Sequence, residues 1–269
     1  AVRVLDGMRR LNIEPSVIAY NASVGACDKG RQWQLAVTLL QDMHHKGLVP
    51  DVVTYKSVIS ACSKCRQREL TLQLLVEMRQ ENWTPDVVAY GAAIAACNDG
   101  ARWEQALALL AEMRQRRIDP DLIAYSACIS LCGAGGLWQR ALVLQREVRS
   151  SALEPDVIAL SAIVSGCEKG AQWARALLQL EDMRSCRVAP DVVAYSAAIS
   201  ACGKGHQWAR ALDLLARMRS GHGAPNVITY GAAVSACEKG WQWHRAQCLL
   251  AEMRGSGLLP AVITYNAAI

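Results

Sequence analysis

No stretch of the chain stays apolar long enough to cross a bilayer, because charged or polar side chains interrupt every segment with helical spacing, so direct membrane insertion is not expected. No signal peptide is visible, and a reducing compartment is therefore expected. Phenylalanine is absent, which leaves the ring content to tryptophan and tyrosine. A strong charge of one sign is absent too: 29 Lys and Arg against 24 Asp and Glu leave +5, which suits a polyanion without demanding one. His44, His45, His206, His222 and His244 are scattered with no repeated acid, Cys or Ser partner, so no nucleophile and base pair is assembled. Catalysis, a cofactor and a small-molecule substrate are accordingly not expected. Cys62 and Cys65 have metal-like spacing, but no second pair or histidine set accompanies them, and Cys65 stands where other copies have a turn glycine.

What the chain does have is one unit, repeated. In Val192 to Asn226, Tyr195, Ala198, Ile199 and Cys202 fall at i, i+3, i+4, i+7, and Trp208, Ala211, Leu212, Leu215 and Met218 continue the rule after a break. Two amphipathic helices follow from that spacing. Gly205 is read as closing the first through the left-handed conformation, and Gly221, Gly223 and Pro225 as ending the second. With Val192 as slot 1 of 35, the chain divides into a partial copy (1–16), seven complete copies (17–51, 52–86, 87–121, 122–156, 157–191, 192–226, 227–261) and the start of an eighth (262–269). One hairpin cannot bury its apolar stripe alone and must stack on neighbours, which predicts an all-α fold, an α-solenoid of helical hairpins. Both ends cut through a copy, with Met8 and Pro15 in slots 27 and 34, so a longer protein is expected.

Seven of the eleven cysteines recur in slot 11 of the buried face and read as core. Tyrosine holds slot 4 except at Leu160, and tryptophan holds slot 17 except at Arg68. The tryptophans could form a base-stacking ladder, but slots 17, 20, 24 and 27 share a face that must meet neighbouring helices, so they read as joints between copies. The fourth copy carries Gly133, Ala134, Gly135 and Gly136, which lack the preceding strand and Lys-Ser or Lys-Thr of a phosphate cradle and read as a loosened turn.

Slots 4, 7, 8 and 11 cluster on one side of the first helix, while slots 2, 5, 9 and 13 point nearly opposite, onto the free face. In a superhelix of hairpins that face lines a long groove. Slot 2 is always Val or Ile: Ile18, Val53, Val88, Ile123, Ile158, Val193, Ile228 and Ile263. Either something flat lies against these residues or the next copy covers them. Slot 9 is small. Slot 13 is lysine at Lys29, Lys64, Lys169, Lys204 and Lys239, broken by Asp99 and Ala134. These lysines would either meet a phosphate backbone or complement the helix dipole. Slot 28 arginines are more regular still yet lie near the end of the outer helix, so periodic charge alone marks no site.

Slots 5 and 35 lie at the same level of the antiparallel hairpin and can act as pairs: Asn21 with Asp51, Lys56 with Asp86, Gly91 with Asp121, Ser126 with Asp156, Ser161 with Asp191, Ser196 with Asn226, and Gly231 with Ala261; Asn266 opens the next. Varied donors and acceptors on a constant frame are what reading a base edge requires. Asp and Asn at slot 35 equally suit an N-terminal cap of the following helix.

The 35-residue period, the opening run V-[IV]-[AT]-Y-[NSG], the turn glycine, Ala at slot 20, Met at slot 27 and the close Pro190-Asp191 resemble pentatricopeptide repeat proteins of the uniform 35-residue class, over essentially the whole chain. The resemblance implies a right-handed superhelix that binds single-stranded RNA, one nucleotide per copy, in a mitochondrion or chloroplast. It implies a non-enzymatic role in stabilising, processing or translating a transcript. Slot 2 would clamp bases, slots 5 and 35 select them, and the slot 13 lysines approach the backbone. Carried over, Asn21 with Asp51 suggests U, Ser126 with Asp156 and Ser161 with Asp191 suggest G, and Ser196 with Asn226 suggests A, giving U-x-x-G-G-A-x. Lys56, Gly91 and Gly231 lack the side chains the family uses at slot 5. The alternative is a scaffold subunit of a large organellar assembly, such as a ribosome, contacting protein or folded RNA.

Overall fold

The computed structural model describes Leu5 and residues 14–98, 102–221 and 223–267. Met8, Asp99, His222 and most of the partial copy at 1–16 lie outside the described residues, as does the side chain of Ile263. Fifteen helices and no strand are found among the described residues. The first helices of the hairpins are α1 (Val17–Lys29), α3 (Val52–Lys64), α5 (Val87–Ala96), α7 (Leu122–Ala134), α9 (Val157–Lys169), α11 (Val192–Lys204), α13 (Val227–Lys239) and α15 (Val262–Asn266). The second helices are α2 (Trp33–His45), α4 (Arg68–Gln80), α6 (Trp103–Gln115), α8 (Trp138–Ser150), α10 (Trp173–Ser185), α12 (Trp208–Ser220) and α14 (Trp243–Gly255). First helices open at slot 1 and second helices at slot 17. The fold is an all-α solenoid of hairpins.

Residues 1–128 and 129–269 form two compact units. In the first, α1 packs on α3 and α3 on α5; in the second, α9 packs on α11 and α11 on α13. Each of α2, α10 and α12 touches both its own first helix and the next. A first helix therefore has neighbours on three sides, and its sequence answers with apolar or small residues nearly all round. Tyr195, Ala198, Ile199 and Cys202 are buried toward the second helices, and Ala194 and Ala201 (slots 3 and 10) are also fully buried, against adjacent first helices. Small residues permit that approach: a Cβ on Gly133 would lie 2.2 Å from the Ala162 carbonyl oxygen, and one on Gly203 would lie 3.1 Å from the Ala236 Cβ.

The hairpin turn corrects the glycine reading. Gly205 has φ −88; the left-handed residue is His206, at φ 56. The amide of Gln207 donates to the Cys202 carbonyl at 2.8 Å and that of His206 to the Gly203 carbonyl at 3.2 Å, the bonding of a Schellman close with slot 15 in the left-handed position. Glycine is needed at slot 14 for space instead: a Cβ on Gly170, Gly205 or Gly240 would fall 2.4, 2.2 or 2.3 Å from the Cδ1 of Trp138, Trp173 or Trp208 in the preceding copy. The second helix of the sixth copy likewise ends at Gly221 with φ −90, outside the left-handed region. The fourth copy's turn is also not loosened: α7 keeps its 13 residues and Gly136 takes the slot 15 position at φ 72.

Two recurring contacts tie neighbours together. The slot 17 indoles of the fourth, fifth and sixth copies are half-buried beside that glycine and under an arginine of the next copy, with Arg175 over Trp138 at 4.5 Å and Arg210 over Trp173 and Arg245 over Trp208 at 4.7 Å. The slot 28 arginines make the second contact, donating to the slot 4 phenol of the next copy: Arg79 to Tyr90 and Arg114 to Tyr125 at 3.4 Å, Arg184 to Tyr195 at 2.6 Å, Arg219 to Tyr230 at 3.3 Å. A slot 26 carboxylate of that same next copy closes the triad, as where Glu112 accepts from Arg79 at 2.8 Å and from Tyr90 at 3.0 Å. Burial first, then the charges of Glu77 and Glu81, pushes the Tyr55 phenol up to about 12, so it stays protonated. The regular arginine ladder is thus a joint. Leu160 has no hydroxyl to offer, and Arg149 turns to Asp182 at 3.7 Å.

Candidate nucleic-acid interface

Slots 2, 6, 9 and 13 are spaced i, i+4, i+7, i+11 and share the one face of the first helix that no neighbour covers. The side chains at slot 2 are its most open apolar groups: Ile18 is 79% exposed, Val53 and Val88 are 55%, Ile123 67%, Ile158 68%, Val193 57% and Ile228 70%. Cover by the adjacent copy is therefore ruled out for these seven. An exposed β-branched side chain thus recurs at the same place in each of these seven copies, a register that isolated surface hydrophobes do not carry.

Slot 5 does not share that open face. Ser161 and Ser196 are only 4% and 8% exposed, and Gly91 is buried, whereas Asn21, Lys56, Ser126 and Gly231 are half-buried. The reason is the third neighbour: the start of the next first helix packs beside slot 5 and brings slots 35 and 3 to it. The Asn21 amide donates to Asp51 Oδ2 at 2.9 Å, Lys56 Nζ lies 2.7 Å from Asp86 Oδ2, and the Ser161 hydroxyl donates to Asp191 Oδ1 at 2.9 Å. Ser196 meets Thr229 Oγ1 at 2.7 Å in place of Asn226. Ala261 and Asn266 are exposed.

Slot 35 also caps. Asp51, Asp86, Asp121, Asp156, Asp191 and Asn226 each accept from the backbone N–H three residues on, at 2.8–3.1 Å. The carboxylate serves both roles: at Asp86 the cap takes Oδ1 and Lys56 meets Oδ2, at Asp51 the Asn21 amide reaches both oxygens, and at Asp191 the capping oxygen Oδ1 also accepts from Ser161. Burial raises the Asp51 carboxyl, but the Thr54 amide and hydroxyl and the Asn21 amide outweigh it and hold it below the ordinary value. At Asp86 burial is likewise outweighed, by Lys56 and the Ala89 amide. Slot 3, the [AT] of the opening run, adds a group that periodicity does not reveal: where it is threonine, as in Thr54 and Thr229, its hydroxyl joins the pair, and Thr54 donates to Asn21 Oδ1 at 2.5 Å. The signal was the Ala/Thr alternation at that slot.

The slot 13 lysines are exposed, but several are engaged. Lys64 pairs with Asp28 at 2.8 Å and Lys204 with Glu168 at 2.6 Å, while Lys169 donates to the Ala134 carbonyl at 2.6 Å. Acids at slot 12 thus temper the expected row of cations. Lys29 and Lys239 are exposed at helix C-termini. In residues 129–269 these parts enclose a cleft of 430 Å³ lined by Ser165, Glu168, Val193, Ser196, Asn226 and Ile228, among others. Its lining brings together two successive slot 2 side chains, Val193 and Ile228, and the slot 5 and 35 residues of one copy, Ser196 and Asn226. Cys62 is buried in the core, its thiol raised to about 12 by burial and the nearby Cys65, while Cys65 donates to the Arg31 carbonyl at 3.1 Å.

The pentatricopeptide repeat domain model matches residues 38–100, 101–135, 143–205 and 224–269, and the PPR repeat model matches 193–221. The chain belongs to the pentatricopeptide repeat family. No curated protein sequence matches it. Among solved pentatricopeptide repeat structures, PPR10 from maize is similar over 99% of this chain and 43% of that one, at TM-score 0.66 and 21% identity. PPR10 in complex with an 18-nt psaJ RNA element is similar at TM-score 0.61 and 21% identity, over 99% of this chain and 44% of that one. The PPR domain of Arabidopsis thaliana protein-only RNase P 1 in complex with tRNA is similar over 64% of this chain and 91% of that one, at TM-score 0.58 and 13% identity. This pentatricopeptide repeat chain thus spans less than half the length of the PPR10 structures it matches.

Proposed function

We propose that this array binds single-stranded RNA without doing chemistry on it, taking one base per copy between successive slot 2 side chains, in a mitochondrion or chloroplast. The observation that carries the proposal is the cleft between Val193 and Ile228, whose apolar walls suit the faces of a base and whose floor, Ser196 and Asn226, carries hydrogen-bonding groups for its edge. The two pentatricopeptide repeat structures that hold RNA support the same reading. Lys29 and Lys239 are the cations best placed for the sugar-phosphate chain.

In this reading Asn21 with Asp51 selects U, Ser126 with Asp156 and Ser161 with Asp191 select G, and Ser196 with Asn226 selects A. Lys56 is neutralised by Asp86, and Gly91 and Gly231 bring no side chain, so those copies hold a nucleotide without choosing it. The test is a filter-binding titration with U-x-x-G-G-A oligonucleotides against scrambled ones. The expected result is submicromolar affinity that is sensitive to the G-G step and to salt. Equal binding to the scrambled strand favours the scaffold role, in which the array meets protein or folded RNA.

A further inference from the structure

One joint between copies departs from a charge pattern that runs through the array. At four other joints a slot 28 base faces a slot 26 acid of the next copy: His44 with Glu77 at 3.7 Å, Arg79 with Glu112 at 2.8 Å, Arg149 with Asp182 at 3.7 Å, and Arg219 with Glu252. Slot 26 is acidic in six complete copies and is Arg217 in the sixth. The joint that needs a carboxylate beside Arg184 receives a second guanidinium instead, a change of two charges at one place.

A cavity of 640 Å³ lies at this joint, lined by Arg184, Arg187, Arg217, Tyr195, Ser220 and the backbone of the turns around them. No carboxylate is among its described lining residues. The Arg184 guanidinium donates to the Tyr195 hydroxyl at 2.6 Å, which fixes its direction and leaves other N–H groups to give. Arg217 is held through Nε by Asp213 at 2.8 Å, one turn back on its own helix, so its terminal nitrogens remain for a ligand. Arg187 stands at the left-handed position of the inter-copy turn, φ 58, and lines the same cavity.

We propose that Arg184, Arg187 and Arg217 form a binding site for a phosphate-class oxyanion on the edge of the array, outside the proposed base groove. Asp213 offsets one of the three charges from outside the cavity, and a tetrahedral dianion within it supplies the remaining charge and acceptors for several guanidinium N–H groups. The sources that share this chemistry are a backbone phosphate of RNA reaching over the edge, and free phosphate. The site does not depend on the groove reading, because none of its residues lies at slots 2, 5 or 35.

The test compares the chain with Arg217→Glu, which restores the joint seen in other copies, and with Arg187→Ala. Thermal unfolding in sodium phosphate against sodium chloride at equal ionic strength should show phosphate-dependent stabilisation in the parent chain and its loss in both variants. The salt dependence of RNA binding then names the source. A decrease of about 0.7 in the slope of log K against log salt for both variants assigns the site to an RNA phosphate; an unchanged slope beside lost phosphate stabilisation assigns it to free phosphate. Phosphate stabilisation equal in all three chains, or none in the parent together with an unchanged slope, overturns the proposal. Arg187→Ala is the control for the first variant, in which the introduced carboxylate could pair with Arg184 and stabilise the fold by itself.

Discussion

Ser196 Oγ sits 2.7 Å from Thr229 Oγ1 of the next copy. Asn226, the partner expected for Ser196, instead spends its side-chain oxygen capping α13 through the Thr229 amide, at 3.0 Å. Thr229 thus stands between Ser196 and Asn226, whereas Thr54 bonds Asn21 while Asn21 also reaches Asp51 directly, so in both copies the hydrogen-bonding face depends on three side chains.

Thr229→Ala should release Ser196 and change the discrimination between A and G at that nucleotide severalfold. It should also cost about 1 kcal/mol of stability, since the hydroxyl accepts from the Asn226 amide in a capping box. Competition titrations and urea unfolding measure the two effects separately. An unaltered A-to-G ratio would show that the hydroxyl takes no part in selection.

Ser161→Asn should move the preference at one nucleotide from G toward U while leaving overall affinity nearly unchanged. Asn21 shows that the amide fits, reaching Asp51 at 2.9 and 3.1 Å from the same slot. Binding to oligonucleotides that differ only at that base reads the shift, and a preference that stays on G contradicts the pair rule.

Gly205→Ala should destabilise the chain by about 1–3 kcal/mol through overpacking against Trp173. The cost should largely vanish in a Trp173→Ala background, because φ −88 at Gly205 is open to alanine. A cost that persists without the indole would mean that the backbone, and not the ring, demands glycine.

Asp51 and Asp86 are held below the ordinary carboxylate value, so what they add to stability is complete above the unfolded pKa of roughly 4 and is lost as pH falls through their lowered folded values. Asp86→Asn removes one such group while keeping a capping side chain. Unfolding free energy should then fall less steeply between about pH 4 and pH 2 than in the parent chain. Parallel acid limbs would count against the pairing of Asp86 with Lys56.

The period, the two helices and the buried slots 4, 7, 8 and 11 were legible because an apolar stripe at 3.6-residue spacing needs only the sequence to be seen. Azimuth arithmetic on one helix could not place slot 5, because Ser161 is buried by the next copy's helix start, whose direction no single-helix rule supplies. Arg79 and its equivalents gave a visible period but no purpose, since the carboxylate they meet belongs to another copy, 33 residues on. Gly205 was found for the wrong reason: the pattern marked the turn, and only the position of Trp173 explains the residue. Slot 2 was the clearest sign in the sequence, left open between cover and exposure until the neighbours were in place.

The most direct test of the account is the RNA affinity of a Val193→Ala, Ile228→Ala double variant against the parent chain, with thermal unfolding alongside. Both side chains are more than half exposed, so stability should change by less than about 0.5 kcal/mol. Affinity should fall roughly tenfold or more, because the lost methyl groups would be buried against a base at about 0.8 kcal/mol each. Unchanged affinity in a folded double variant would contradict the claim that this row holds the RNA.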